Sequence, residues 1–169
     1  MTLPAAPLRP WRRDDIASLV MHANDREVWR RLRDRFPHPY TVADAEGWVA
    51  LTAGESPPLD FAITLGDEAV GGIGLIPGTD IERASAEVGY WLGRAAWGRG
   101  LATAALQALT AHAFRHFPFE RLFAHPMQGN EASKRVLLKA GYALEGVHPR
   151  AVIKDGHVLD LYTYGITRT

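Results

Sequence analysis

The sequence predicts an α/β (α+β) fold: a mixed, mostly antiparallel sheet of about seven strands with helices on both faces. Three observations carry this. Strand-type and helix-type segments follow in the order strand, two or three helices, three strands, helix, strand, helix, two strands. The first two of the three consecutive strands are joined by the short turn Gly66-Asp67-Glu68, which makes a hairpin of antiparallel neighbours. A long helical pattern then separates the strand ending at Leu92 from the strand around Phe123, and a crossover of that kind makes its two strands parallel. Such parallel neighbours can splay at their C-terminal ends, where ligands of open α/β sheets tend to sit.

Leu8 to Trp11 reads as a short edge strand, because Pro10 cannot donate to a ladder on both sides. Asp14 is a candidate N-cap for a helix with Ile16, Leu19 and Val20 on one face. A second helix is expected from about Asp25, with Val28, Trp29 and Leu32 at apolar spacing. Phe36-Pro37-His38-Pro39-Tyr40 must turn, since each proline disfavours helix in the residue before it. Thr41, with Asp44 three residues on, opens another helix through a near relative of the capping box; it should stop near Gly54. The strands expected next are Phe61 to Leu65, Ala69 to Ile76 and Ala84 to Leu92. A helix from Gly98 to about His116 carries Ala102, Ala105, Leu106, Leu109, Ala113 and Phe117 on one stripe. Arg121 to His125 is a short strand, Asn130 caps a helix ended by Gly141, and Lys154-Asp155-Gly156 turns between two last strands.

The chain of 169 residues is expected to form one domain, residues 1–169. Nineteen basic side chains balance nineteen acidic ones, so no global field draws it to nucleic acid or membrane. With no cysteine, thiol catalysis and cysteine metal sites are excluded, and the sequence suits a reducing compartment. No signal-type or membrane-spanning apolar run is visible, so a cytoplasmic protein is expected.

The stretch Tyr90 to Thr103 says most about function. A strand runs into Gly98 and Gly100, which open the long helix, and the unpaired N–H groups of a helix N-terminus form an anion site. A Walker loop is excluded because no Gly-Lys-Ser/Thr occurs. A dinucleotide fingerprint is incomplete, because Thr103 stands where its third glycine belongs, and Gly71-Gly72-Ile73-Gly74 fails in the same way at Pro77.

In this order the motifs resemble the GCN5-related N-acetyltransferase (GNAT) superfamily, in particular its RimJ/RimL branch. The resemblance rests on Leu8-Arg9-Pro10, Pro39-Tyr40-Thr41, Glu87 to Leu92, the glycine turn, Asn130 with Ser133, Leu138 to Tyr142, Gly156 and Asp160. It implies the acyl-CoA N-acyltransferase fold and a pyrophosphate loop of the form Gln/Arg-x-x-Gly-x-Gly/Ala, here Trp97, Gly100 and Ala102. It further implies acetyl-CoA as cosubstrate, bound by Tyr90, Trp91, Leu92, Trp97, Gly98, Arg99, Gly100, Leu101, Ala102, Thr103 and Asn130, with no metal.

The reaction so implied is direct attack of a primary amine on the thioester, with a protein N-terminus preferred as acceptor. An α-amino group titrates near 8 and a lysine near 10.4, so deprotonating the former at pH 7 costs roughly 3 kcal/mol less. Glu87, on the strand flanking the thioester, is the candidate base, directly or through water; a structural glutamate is the competing reading. A backbone N–H near Trp91 or Leu92, released by a bulge before Gly93, would stabilise the developing oxyanion. The tyrosine acid of many members is replaced by Leu137, which makes Ser133 the candidate donor to the departing thiolate. Trp29, Phe36 and Tyr40 are candidate walls for the acceptor. His112 and His116, at i and i+4, lack a third metal ligand. The arginine-rich run from Arg26 to Arg35 would suit an acidic peptide, or the RNA of a ribosomal substrate. A small-molecule amine acceptor, or an acyl-CoA-binding module without turnover, remain alternatives, and a homodimer is compatible with the sequence.

Overall fold

The computed structural model describes residues 7–169. Its strands are β1 (Leu8–Arg9), β2 (Asp60–Leu65), β3 (Glu68–Pro77), β4 (Ser85–Leu92), β5 (Arg121–Ala124), β6 (Ala143–Lys154) and β7 (His157–Thr167). Its α-helices are α1 (Ile16–Ala23), α2 (Arg26–Trp29), α3 (Val42–Thr52), α4 (Leu101–His116) and α5 (Glu131–Lys139). The seven strands form one sheet in the order β1-β2-β3-β4-β5-β7-β6, with every pair antiparallel except β4 and β5. The fold class read from the sequence is the one observed, with β1 at an edge as Pro10 requires.

Each face of the sheet buries its own core. Leu101, Ala105, Leu106, Leu109 and Ala113 of α4, with Leu137 of α5, close over Ile63, Ile73, Leu75, Ala86, Val88 and Leu122. On the opposite face Leu19 and Ala23 of α1, with Ala45 and Val49 of α3, close over Trp11, Ala62 and Ala69. Gly71, Gly72 and Gly74, which resembled a phosphate loop, serve packing. A Cβ on Gly72 would lie 2.8 Å from Trp91 Nε1, and one on Gly74 would collide with the Asp60 carboxylate.

Local departures from the sequence reading have local causes. Asp14 caps nothing: Arg13–Asp15 forms a 3-10 turn, and Asp15 instead accepts from Arg12 N at 2.8 Å and from the Arg9 guanidinium at 2.7 Å. Asp25 does cap α2, but that helix lasts one turn and ends before Leu32. Thr41 and Asp44 form a complete capping box on α3. The glycine turn itself is not helical; α4 starts at Leu101, after Gly100 at φ 75°.

The parallel pair is short. Only Ser85↔Arg121, Ala86↔Leu122 and Glu87↔Phe123 join β4 to β5. Past Ala124 the chain stays with β7: Tyr162 N–H donates to Pro126 O at 3.0 Å, Met127 bridges Leu161, and Gln128 N–H donates to Asp160 O at 2.9 Å. The second half of β4 therefore loses its neighbour. The β3–β4 register runs without a shift from Gly71↔Leu92 to Pro77↔Ala86, so the bulge expected before Gly93 is absent and the parting of β5 opens β4 instead. At the far edge β6 is interrupted twice, between Leu144 and Gly146 and between His148 and Val152, where Arg150 has φ 53°.

Candidate active site

Alternation along β4 fixes what the splay exposes. Gly93 N–H donates to Val70 O and Gly78 N–H to Ser85 O, both at 2.8 Å, so the odd-numbered residues turn their backbone groups to β3. Tyr90 and Leu92 consequently turn theirs toward the side that β5 has left. The Leu92 carbonyl accepts from Trp97 Nε1 at 2.9 Å, while its N–H stays open to the splay.

Directly beyond β4 lies the glycine turn. Gly98 and Gly100 have φ 74° and 75°, a region that side chains other than glycine rarely adopt, and a Cβ on either would meet nothing within 4 Å. Conformation, not crowding within the chain, therefore requires glycine there. The first helical bond of α4 runs from Ala104 N–H to Gly100 O, and the N–H groups of Gly100, Leu101, Ala102 and Thr103 have no acceptor among the described residues. Four donors at the positive end of a 16-residue helix suit a pyrophosphate. The turn is exposed, and the Arg31 guanidinium sits 4.8 Å from the Trp97 ring centroid beside it.

The opposite end of the splay opens into a cavity of about 950 Å³, lined in part by Tyr40, Trp48, Glu87, Trp91, His125 and Ser133. Tyr40 is buried, its hydroxyl pushed up to about 12 by burial and by the nearby Asp44. Its ring packs on Phe36, which in turn meets Trp91 edge-on at 5.5 Å. Trp29 does not line the cavity; its ring lies under Lys154 Nζ at 3.7 Å, and Lys154 reaches the lining in its place.

Glu87 accepts from Arg33 Nη2 at 2.7 Å, so the expected base is tied into an ion pair. Asp60 is the cavity's other notable carboxyl, raised to about 7 by burial and then by the neighbouring Glu55. Asn130 accepts from Ser133 N–H at 3.3 Å and so caps α5, as its position required. Leu137 is fully buried in the core. A tyrosine nevertheless reaches Ser133: Tyr90 Oη lies 2.7 Å from Ser133 Oγ, and burial holds the Tyr90 phenol well above its ordinary range. Sequence spacing hid this pair, because the two side chains come from β4 and α5, 43 positions apart. His125 was read only as the end of a strand, and it lines the cavity as well.

His112 Nε2 donates to Pro58 O at 2.8 Å, which gives that histidine a structural partner. The arginine run is largely paired: Arg26 with Asp155 at 2.6 Å, Arg30 with Glu27 at 3.3 Å and Arg33 with Glu87. No helix among the described residues is long and apolar enough to cross a membrane.

Known proteins are similar to this chain in sequence and fold. Residues 7–143 match the Acetyltransferase (GNAT) domain. The Uncharacterized N-acetyltransferase p20 of Bacillus licheniformis is 26% identical over 169 residues, 95% of this chain and 92% of its own length. The Ribosomal-protein-serine acetyltransferase of Escherichia coli strain K12 is 34% identical over 94 residues, 54% of this chain and 52% of its own. Among solved structures, Mycobacterium smegmatis RimJ in complex with CoA-disulfide superposes with a TM-score of 0.80 at 27% identity, covering 95% of this chain and 80% of that one. With a splayed β4–β5 pair, a glycine turn of open N–H groups and a family match over most of its length, the chain belongs to the GNAT family of N-acetyltransferases.

Proposed function

We propose that this protein transfers the acetyl group of acetyl-CoA to the α-amino group of a protein or peptide N-terminus. The observation that carries the reading is the continuity of β4: its unpaired edge joins the cluster of open N–H groups at one end to the cavity at the other. The residues present fit CoA. Gly98 to Thr103 would hold its pyrophosphate through the backbone, Tyr90 and Leu92 would take its pantetheine arm as an added strand, and Asn130 has an amide N–H₂ group with no partner among the described residues. Bound there, acetyl-CoA supplies an activated acyl group.

The chain's own residues do the rest. The open N–H groups of Tyr90 and Leu92 are the β4 donors available for charge developing on the thioester oxygen. Ser133 donates the proton that the departing thiolate needs. Tyr90, kept protonated by burial, lies 2.7 Å from Ser133 Oγ, and in this scheme its hydroxyl donates to Oγ, which leaves the serine hydrogen for the leaving group. This pair supplies the acid that Leu137 lacks, and favours turnover over a module that binds without reacting.

The cavity favours a peptide over a polycation. Its lining holds Arg31, Arg33, Arg35 and Lys154 against Asp34, Asp44, Asp60 and Glu87, and Asp34 and Glu87 are already paired with Lys154 and Arg33. An aminoglycoside or polyamine needs a surplus of free carboxylates, which this lining does not offer. The likeness to a ribosomal-protein-serine acetyltransferase supports the same acceptor class. Thiol release across a panel of N-terminal peptides, polyamines and aminoglycosides tests the reading. Turnover confined to peptides is expected; turnover confined to the polycations overturns the acceptor, and none above background hydrolysis overturns the transfer.

A further inference from the structure

An acceptor amine reaches the cavity as ammonium and must lose a proton before attack. Glu87 is engaged by Arg33, and a different group faces the same opening. Glu87 pairs with Phe123, so extending the register across the splay sets His125 opposite Gly89, and both line the cavity. Gly89 has no side chain and a Cβ there would meet nothing within 4 Å, so the space in front of His125 is clear on that side.

The hydrogen bonds around His125 define its tautomer. Nδ1 lies 3.2 Å from the carbonyl oxygen of Tyr162 and 3.1 Å from Thr163 Oγ1. A carbonyl only accepts, so Nδ1 carries the hydrogen in the neutral ring. Nε2 is then the basic nitrogen. It has no hydrogen-bond partner among the described residues and is not a buried orphan, as expected for a ring that lines the cavity. Behind the ring, Thr163 is buried and its Oγ1 also lies 2.9 Å from His148 Nε2, and His148 is exposed on β6. Imidazole, hydroxyl and imidazole form one hydrogen-bonded line from the cavity to solvent.

We propose that His125 takes the proton released by the acceptor ammonium and that Thr163 and His148 lead it to solvent. The ammonium gives its proton to Nε2, and its electron pair becomes free to attack the thioester carbonyl. Nδ1 passes its own proton to Thr163 Oγ1, whose hydrogen moves to His148 Nε2, and His148 loses one to water. Charge and protons balance at every hop. An imidazole is a far stronger base than a carboxylate, which suits it to take a proton from an amine. His125 touches the substrate in this scheme, whereas Thr163 and His148 act through it. The titratable groups beside His125 are Glu87 with Arg33 on the β4 side and His148 on β6; from β7 Tyr162 presents only its backbone carbonyl.

The proposal rests on amine acetylation being the reaction, so the test keeps the two apart. In steady state with an N-terminal peptide, from about pH 6 to about pH 9, His125→Gln should lower kcat roughly 100-fold and erase the acidic limb of the kcat profile. Thr163→Val should lower kcat about tenfold and shift that limb, whereas Thr163→Ser restores wild-type behaviour; His148→Gln should follow Thr163→Val. A His125→Gln profile matching wild type under chemistry-limited conditions overturns the assignment, and equal behaviour of the Val and Ser variants overturns the relay. Nitrogen NMR of the free protein judges the same proposal without substrate. Neutral His125 protonated on Nδ1 is expected; protonation on Nε2 overturns it even if no peptide turns over, an outcome that by itself would condemn only the acetylation reading.

Discussion

In the proposed reaction Ser133 acts through a neighbour, Tyr90, that sequence spacing hides. Ser133→Ala should lower kcat by about 100-fold with little change in the KM for acetyl-CoA. Tyr90→Phe, which removes one hydrogen bond while leaving the serine, should cost about tenfold in kcat; single-turnover kinetics read both, and an unchanged Tyr90→Phe rate would separate the phenol from the acid. Gly100 makes a different demand. Its φ of 75° strains any Cβ by roughly 1 kcal/mol or more, so Gly100→Ala should weaken CoA binding about tenfold by calorimetry, while the exposed Arg99→Ala changes it about twofold. Equal losses would shift recognition from backbone to side chain. Asp60 sets a pH dependence of stability. Its carboxyl keeps its proton to about pH 7 in the folded chain and loses it near pH 4 when unfolded. Between those values the folded state binds more protons, so this group's contribution to stability falls as pH rises from about 4 to about 7. Thermal melts of Asp60→Asn should therefore show a Tm advantage over wild type at pH 8 that is absent at pH 4. Asn130 as an N-cap and the glycine turn were legible because each sits in a local pattern. Tyr90 as the partner of Ser133, the place of His125 in the cavity lining and the burial of Asp60 were not, because they come from tertiary neighbours.

Among the elements, α4 and β4 show how far local pattern reaches. The apolar stripe of α4 predicted most of its buried face: Ala105, Leu106, Leu109 and Ala113 are buried, whereas Ala102 and Phe117 are only partly so and Leu101 joins them. Leu109→Ala should destabilise the protein by about 3 kcal/mol in urea unfolding, since close packing against the sheet leaves little room to collapse around the void. A loss below about 1 kcal/mol would mean that the helix re-seats. The turn Asp155-Gly156 was readable for the same local reason, with φ of 50° and 76° at its two residues. The opening in β4 was foreseen as a splay, but its mechanism was not. A bulge is a property of one strand pair, whereas this gap arises because Pro126, Met127 and Gln128 follow β7. Where the chain goes after β5 is a tertiary choice, and no periodicity in β4 records it. Similarly α2 stops after one turn although its apolar spacing continues to Leu32.

The whole molecule is one twisted sheet whose two faces do different work: α4 and α5 seal the face behind the glycine turn, and α1 and α3 frame the face with the cavity. That division was implied by the order of elements, which is why the fold class could be read before any site. Electrostatics at this scale bears on the acceptor. Because the lining balances four basic side chains against four acidic ones, with Arg33–Glu87 and Lys154–Asp34 paired, added salt should change the KM for a neutral N-terminal peptide by less than about twofold, while a spermine-like polycation should remain a poor substrate at any ionic strength. A steep salt dependence would point to an unpaired field instead. The last strand pair has a consequence of another kind. β6 is the outer edge of the sheet, twelve residues long, with Leu144, Val147 and Ile153 exposed, a combination that invites another chain to add itself as an eighth strand. Pro149 offers no N–H, Arg150 turns out of extended backbone and spends its N–H on Asp160 at 2.9 Å, and the two register breaks divide the edge into short pieces. The irregular middle of β6 is thus a guard against fibre-like self-association, and straightening it would trade a local oddity for an aggregating edge.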